Sequence, residues 1–178
     1  MARRELALAK VYGLLEPGPV VLLTTAHKGK ANIMTMSWHT MMEFEPPLVG
    51  CIVSGHNFSF DSLQLTRQCV INIPTVELAE KVVGVGNTSG RNVDKFETFG
   101  LTPVPATLVT APLIAECYAN LECKVIDTQL VNRYNFFVLE VVKAWLDRTH
   151  DDPRTLHHKG NGEFMVAGET IKLPSKMK

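Results

Sequence analysis

The chain has 178 residues, with 18 Lys plus Arg against 18 Asp plus Glu, a formal net charge of zero, 46% hydrophobic and 20% charged residues, 12 Gly and 10 Pro. This length favours one domain, residues 1–178, that buries about two-thirds of its unfolded surface without staples; the composition is too apolar for disorder, and the charge balance excludes a general nucleic-acid binder. No apolar run approaches the roughly 20 residues of a membrane span, and the start Met1-Ala2-Arg3-Arg4-Glu5-Leu6 is too polar for a secretory leader, so a soluble cytoplasmic protein without a membrane role is expected.

Residues 3–16 form an extended or helical lead-in that stops at Glu16-Pro17-Gly18-Pro19. Val20 to Ala26 is a β-branched strand, and His27-Lys28-Gly29-Lys30 turns it into a second strand, Ala31 to Trp38. After Pro46-Pro47, Leu48 to Val53 reads as a buried strand. Phe58 to Arg67 fits a short helix, which Ser59 or Asn57 would cap, and Cys69 to Ile73 is a strand closed by Pro74. Thr75 then caps a helix over Val76 to Val83, with Glu77 and Glu80 in its early turns.

Gly84 to Asn92 reads as loop, and Asp94 to Phe99 as a helical turn or two. Two long strands follow, Leu113 to Asp127 and Tyr134 to Leu146, joined as an antiparallel hairpin. Gly160-Asn161-Gly162 signals a tight turn, and Phe164–Val166 and Thr170–Leu173 are short strands about Gly168. Strands outnumber helices and most connections are hairpins. The pattern predicts a mainly β fold, an antiparallel barrel or sandwich with a few flanking short helices.

Cys51, Cys69, Cys117 and Cys123 show no CxxC spacing and resemble neither a zinc nor a thioredoxin-type motif. From Ala115 to Val125 apolar and polar residues alternate, which places Cys117 and Cys123 on the inner face of one strand, roughly 20 Å apart. A disulfide requires Cα atoms within about 7 Å, so this pair cannot bridge. All four read as buried thiols.

No P-loop, HExxH or GxSxG motif is present. Gly84-Val85-Gly86-Asn87-Thr88-Ser89-Gly90 fails the dinucleotide fingerprint, because its third glycine is one position late and a helix precedes it. His157-His158 lacks the further ligands a metal pair needs, so these read as solvent-exposed tail residues and no metal site is expected. The densest cluster is Asn32 to Met42. In a strand Met34, Met36 and Trp38 share one face, and Ile33, Thr35 and Ser37 the other. The segment is either a core strand or a flat, polarisable wall for a heteroaromatic ring. Ser54-Gly55-His56-Asn57-Phe58-Ser59, at a strand end and helix start, gathers hydroxyls and N–H groups suited to an anion. Thr88 to Phe96 adds further hydroxyls, a flexible glycine and two cations. A wall with two phosphate-friendly loops suggests a mononucleotide-like cofactor.

At these residues the sequence resembles the flavin reductase-like family of FMN-binding split barrels, and within it the flavoredoxin-type branch. The specific part is Asn32-Ile33-Met34-Thr35-Met36-Ser37-Trp38 together with Asn72-Ile73-Pro74; Glu16 to Leu22, Pro46 to Gly50, Ser89-Gly90, Asp94-Lys95-Phe96, Phe99 to Pro103 and Gly162-Glu163-Phe164 support it. The resemblance implies a homodimer of six-stranded Greek-key split barrels with FMN near the subunit interface. It implies cofactor-binding roles for Met34, Thr35, Met36, Ser37 and Trp38 along the ring, and for Ser54, His56, Asn57, Phe58 and Ser59 at the phosphate. Asn72, Ser89, Gly90 and Lys95 complete the set. Many relatives carry an arginine where this chain has Asn57, which shifts the phosphate onto Ser59, the helix N-terminus and Lys95 or Arg91.

The implied activity is redox: electrons from NAD(P)H, as a transient donor, or from a protein donor pass through bound FMN to a small-molecule or protein partner. Such chemistry needs orientation and electrostatics from the protein, so no catalytic side chain is named. The alternatives are a flavoredoxin-type electron carrier without NAD(P)H activity and a non-enzymatic flavin-binding barrel.

Overall fold

The computed structural model describes residues 18–147, Thr149 and residues 153–174; the lead-in over residues 3–16 lies outside them. The chain opens with a hairpin of β1 (Val21–His27) and β2 (Lys30–Met36). Its two-residue turn carries positive φ at both Lys28 (50°) and Gly29 (75°), the handedness that matches the twist of the flanking strands. β3 (His39–Glu43) and β4 (Leu48–Ile52) form a second hairpin. Helix α1 (Ser59–Thr66) precedes β5 (Gln68–Ile73), and a 3-10 turn (Val76–Leu78) leads into α2 (Ala79–Asn87). After α3 (Lys95–Phe99) come the short β6 (Pro103–Val104) and β7 (Leu113–Ile114), then β8 (Ala119–Asp127), α4 (Val131–Tyr134), β9 (Phe136–Leu146), β10 (Leu156–Gly160) and β11 (Glu163–Val166).

One seven-stranded antiparallel sheet runs β2-β1-β5-β8-β9-β4-β3. Only Ser37 and Trp38 separate β2 from β3, yet these strands occupy opposite ends of that order. The sheet therefore curls until its ends meet. The expected six-stranded Greek-key split barrel is present, with β2 and β3 as two halves of one interrupted stave. His39 Nε2 donates to Pro19 O (2.7 Å) and Ile52 N to Trp38 O (3.0 Å), which tie the seam.

Strand alternation fills the interior with Val21, Leu23, Met36, Val49, Cys51, Cys69, Ile71, Cys123, Phe137 and Leu139. The opposite face of β1–β2 packs Leu22 and Ile33 under Val82 and Val85 of α2, Phe96 of α3 and Leu156 of β10. All four cysteines are buried free thiols, and burial pushes Cys51 and Cys117 up to about 12.

Several expectations are corrected. Gly84 to Asn87 is helical, because the absent side chains let Phe99 and Thr35 approach α2. Leu113–Asp127 is not one strand: it breaks at a turn where Cys117 N donates to Ile114 O, and Cys117 joins the outer core while Cys123 lies in the barrel. Asn120 and Glu122, polar positions of the alternating run from Ala115 to Val125, are buried, Glu122 accepting from Thr107 N and Leu108 N and Asn120 donating to Ile114 O. Neither Ser59 nor Asn57 caps α1, and Thr75 makes no side-chain cap bond. His157-His158 is half-buried in β10, with His158 against Phe164, and Thr170–Leu173 forms no strand. Among the described residues no helix is long and apolar enough to cross a membrane.

Candidate functional site

On the α2 side of β2 lies a polar cavity of about 270 Å³. β2 contributes Asn32, Met34 and Thr35, and the Thr35 hydroxyl fixes the strand against α2 by donating to Val82 O (2.7 Å). The loop into α1 brings His56, Asn57, Phe58 and Ser59. Asn32 Nδ2 donates to Ser59 Oγ (2.8 Å), which holds the start of α1 against β2 and occupies the serine that would otherwise be free to cap. That helix begins at Phe58 with no side-chain cap; Phe60 N donates to Asn57 O (3.0 Å), and Asp61 lies in its first turn.

The third wall is Val85 to Gly90, with Lys95 behind it. Gly90 is required by the close approach of two loops: a Cβ there would collide with the Asn32 amide and stand 2.8 Å from Phe58 Cδ1. Lys95 is placed by local capping. Asp94 accepts from Phe96 N (2.8 Å) and Glu97 N (3.3 Å), which starts α3, and Phe96 anchors it in the outer core. The Lys95 side chain then runs inward, only 5% exposed, and Nζ donates to Val85 O (2.8 Å) in the last turn of α2.

Thus Met34, Thr35, His56, Asn57, Phe58, Ser59, Ser89, Gly90 and Lys95 meet around one cavity. Ser54 stands beside it and accepts from His56 N (3.3 Å). Among the expected residues, Met36, Asn72 and Trp38 do not line it either. Met36 points into the barrel core. Asn72 is fully buried on β5, two strands away from β2 on the same face as Leu22 and Thr35, where its amide donates to Leu22 O (2.9 Å) and accepts from Ile114 N (2.9 Å) and Asn120 Nδ2 (2.8 Å), a fold-holding network. Trp38, 54% exposed, lies at the seam with an apolar cavity of about 680 Å³ at the barrel mouth.

Ser37 connects these regions. A third cavity, of about 290 Å³, shares Thr35, Gly86 and Asn87 with the polar one and Ser37 with the apolar one. The three follow one another along β2 and the Ser37–Trp38 step, polar at the α1 end and apolar at the Trp38 end. The middle of this run is walled by Val82, Val83, His158 and Phe164, none of them among the expected cofactor-binding residues. His158 reaches it through the β10–β11 hairpin, whose Asn161-Gly162 turn has positive φ at both residues. That Asn-Gly turn was the one local signal available.

Charge defines the polar end. Burial holds the Lys95 ammonium below its ordinary 10.5, and among the described residues it has no carboxylate partner. Its Nζ has three donors, of which Val85 O takes one. A buried cation and the hydroxyls of Ser59 and Ser89, which accept from Asn32 and Arg91 N and keep their own protons to donate, form a donor set suited to an anion, while the Thr88 hydroxyl is spent on Gly84 O (2.8 Å). These residues fit a phosphate monoester, and the run beyond fits a flat apolar ring. Among the described residues no group of His, Cys, Asp and Glu could hold a metal ion.

The family model for the flavin reductase like domain matches residues 14–164. The uncharacterized Escherichia coli protein YddH is 33% identical over 172 residues, 89% of this chain and 91% of that protein. An FMN-binding domain of a flavin reductases-like enzyme from Shewanella baltica superposes with a TM-score of 0.83 at 28% identity, over 95% of this chain and 96% of that one. Flavoredoxin from Methanosarcina acetivorans gives 0.82 at 26%, over 99% and 97%.

Proposed function

We propose, on the premise that this chain belongs to the flavin reductase like domain family, that it is an FMN-binding oxidoreductase passing electrons from NAD(P)H or a protein donor through bound FMN to an acceptor. The observation that carries this reading is Lys95, a buried cation without a carboxylate partner among the described residues, at the polar end of a run whose other end is apolar. FMN supplies the redox chemistry of its ring when bound. Lys95, Ser59 and Ser89 hold the phosphate, with Asn57 and His56 at the rim. Thr35, Ser37 and the backbone of β2 orient the ring edge, and backbone N–H groups there favour negative charge. Val82, Val83 and Phe164 exclude water from one side.

The protein acts as a cytoplasmic homodimer with the site near the interface. Trp38, Met41, Met42 and Phe44 (81% exposed) give the seam strand an apolar strip suited to a partner subunit. The similarity to a flavoredoxin favours, as a second reading, a carrier without NAD(P)H activity. Anaerobic mixing of FMN-loaded protein with NADH or NADPH separates the two: rapid bleaching of the yellow colour is expected for the reductase, and none for the carrier. A protein that is colourless and does not bind added FMN refutes both.

A further inference from the structure

Among the described residues, one titratable side chain lines the middle cavity of about 290 Å³: His158. Strand alternation puts it on the same face as Leu156, which is buried in the outer core with Leu22, Ile33 and Val82. Val20 N donates to Leu156 O (2.6 Å), and Pro19 bridges to His157, so β10 is held against the start of β1. Just beyond His158 the register of the β10–β11 hairpin shifts, an irregularity of the kind that re-aims a side chain beside a site. The imidazole is half-buried, 5.2 Å from the Phe164 ring between centroids, in one cavity with Thr35, Ser37 and Asn87. The charged residues on the elements around it are Lys159 and Glu163 of the hairpin, Glu80 and Lys81 at the start of α2, and Lys30 at the far end of β2; none of them lines the cavity. His157 is engaged with Thr155 Oγ1 (3.0 Å).

We propose that His158 balances the charge that a bound flavin ring gains on reduction, and so ties the reduction potential of the site to pH. This role rests on the FMN reading, since the cavity is the part of the run assigned to the ring. Reduction by NAD(P)H, which becomes NAD(P)+, delivers two electrons and one proton to the ring and leaves it with one negative charge. A second proton, from water, is held on the imidazole as imidazolium. Histidine suits this work because its charge change ordinarily falls between pH 5 and 8. With no other ion lining the cavity, the imidazole binds its proton more tightly once the ring is reduced. By the same factor, the imidazolium favours the reduced ligand over the oxidised one. The preference is present at acid pH and is lost as the imidazole gives up its proton.

The test measures the midpoint potential of FMN bound to the full-length protein, against a reference dye, at about pH 5.5 and about pH 9. His158→Gln removes the titrating charge, and His158→Lys carries one that persists at about pH 9. The Kd of oxidised FMN, from flavin fluorescence, is the control and should stay within about threefold in both variants. At the acid pH, His158→Gln is expected to lose about tenfold in its preference for reduced over oxidised FMN, about 30 mV for a two-electron couple. At the alkaline pH it should match the wild type within about twofold, while His158→Lys keeps the higher potential at both. His39, His56 and His157 are common to all three proteins, so the difference between them belongs to residue 158. No offset at acid pH, an offset that persists at alkaline pH, or a lysine variant that behaves like the glutamine one overturns the proposal. Loss of oxidised FMN by both variants makes His158 a packing residue and overturns it too. If the wild type fails to bind FMN, the proposed function falls; if it binds and the potentials coincide, only the role of His158 does.

Discussion

Replacing Lys95 with methionine separates a ligand-binding cation from a structural one. The ammonium is 5% exposed and its only hydrogen bond among the described residues goes to Val85 O at 2.8 Å. Methionine keeps the apolar length and removes the charge. In the apoprotein two effects oppose each other. Val85 O loses its donor, a cost of about 1–2 kcal/mol, while relief of an uncompensated buried charge returns a comparable amount. The apoprotein melting temperature should therefore move by no more than the few degrees that about 1 kcal/mol represents. FMN should suffer far more, because a charge-assisted hydrogen bond worth about 2 kcal/mol disappears, which is about 30-fold in Kd. Riboflavin, which lacks the phosphate, should bind both proteins equally. Titrations of both flavins with apo melts decide the matter: equal weakening of riboflavin and FMN, or unchanged FMN affinity, refutes the phosphate role. A pH arm adds a sign. Burial lowers the folded-state Lys95 value below 10.5, so the unfolded chain binds more protons in that window. Wild-type apoprotein should gain stability relative to Lys95→Met as pH climbs through it.

Other residues give independent expectations. Glu122 is fully buried; burial alone would raise its carboxyl, but donation from Trp145 Nε1 (2.8 Å), Leu108 N (2.6 Å) and Thr107 N outweighs it and leaves the group below its usual 4.5. Its contribution is present above that value and lost as pH falls through the lowered folded one; urea melts should show Glu122→Gln costing about 2 kcal/mol at pH 7 and little at strongly acid pH, and a pH-independent cost would refute this. Met41→Asp/Phe44→Asp should convert a dimer to a folded monomer in sedimentation velocity, and a wild type that is already monomeric removes the homodimer. The cysteines should resist a thiol reagent until the protein unfolds, since burial raises Cys51 and Cys117 to about 12; rapid labelling of the native protein would contradict their placement.

Local chemistry was legible and long-range cover was not. The β1–β2 hairpin follows from Lys28-Gly29 between two strand-forming runs, and the buried thiols Cys51, Cys69 and Cys123 from the apolar runs and the alternation that hold them, whereas Cys117 is buried outside the strand the alternation implied. Gly84 and Gly86 look like breakers, but they are helical because Phe99 and Thr35 need the space, a fact carried by residues elsewhere in the chain. Asn120 and Glu122 have the polarity of an outer face, and only the fold brings a loop whose N–H groups need acceptors. In the site, the motif residues converge where they sit on β2 or on the loops beside it. Asn72 does not, because an asparagine within an apolar strand is equally well explained by bonds to neighbouring strands, which one sequence does not reveal. His158 and Phe164 were missed because their hairpin reaches β2 across more than a hundred residues of chain.

The two-residue step at Ser37 and Trp38 makes the seam of the barrel and the middle of the binding run one covalent segment. The run has its shape only where β2 and β3 bring the two ends of the sheet together, so the site depends on closure of the barrel. A ligand gripping β2 there works as a rivet through the seam. Its main effect on the fold should be to slow the opening of the barrel, and the residence time of the ligand would then serve as a clock for how often the cylinder unzips.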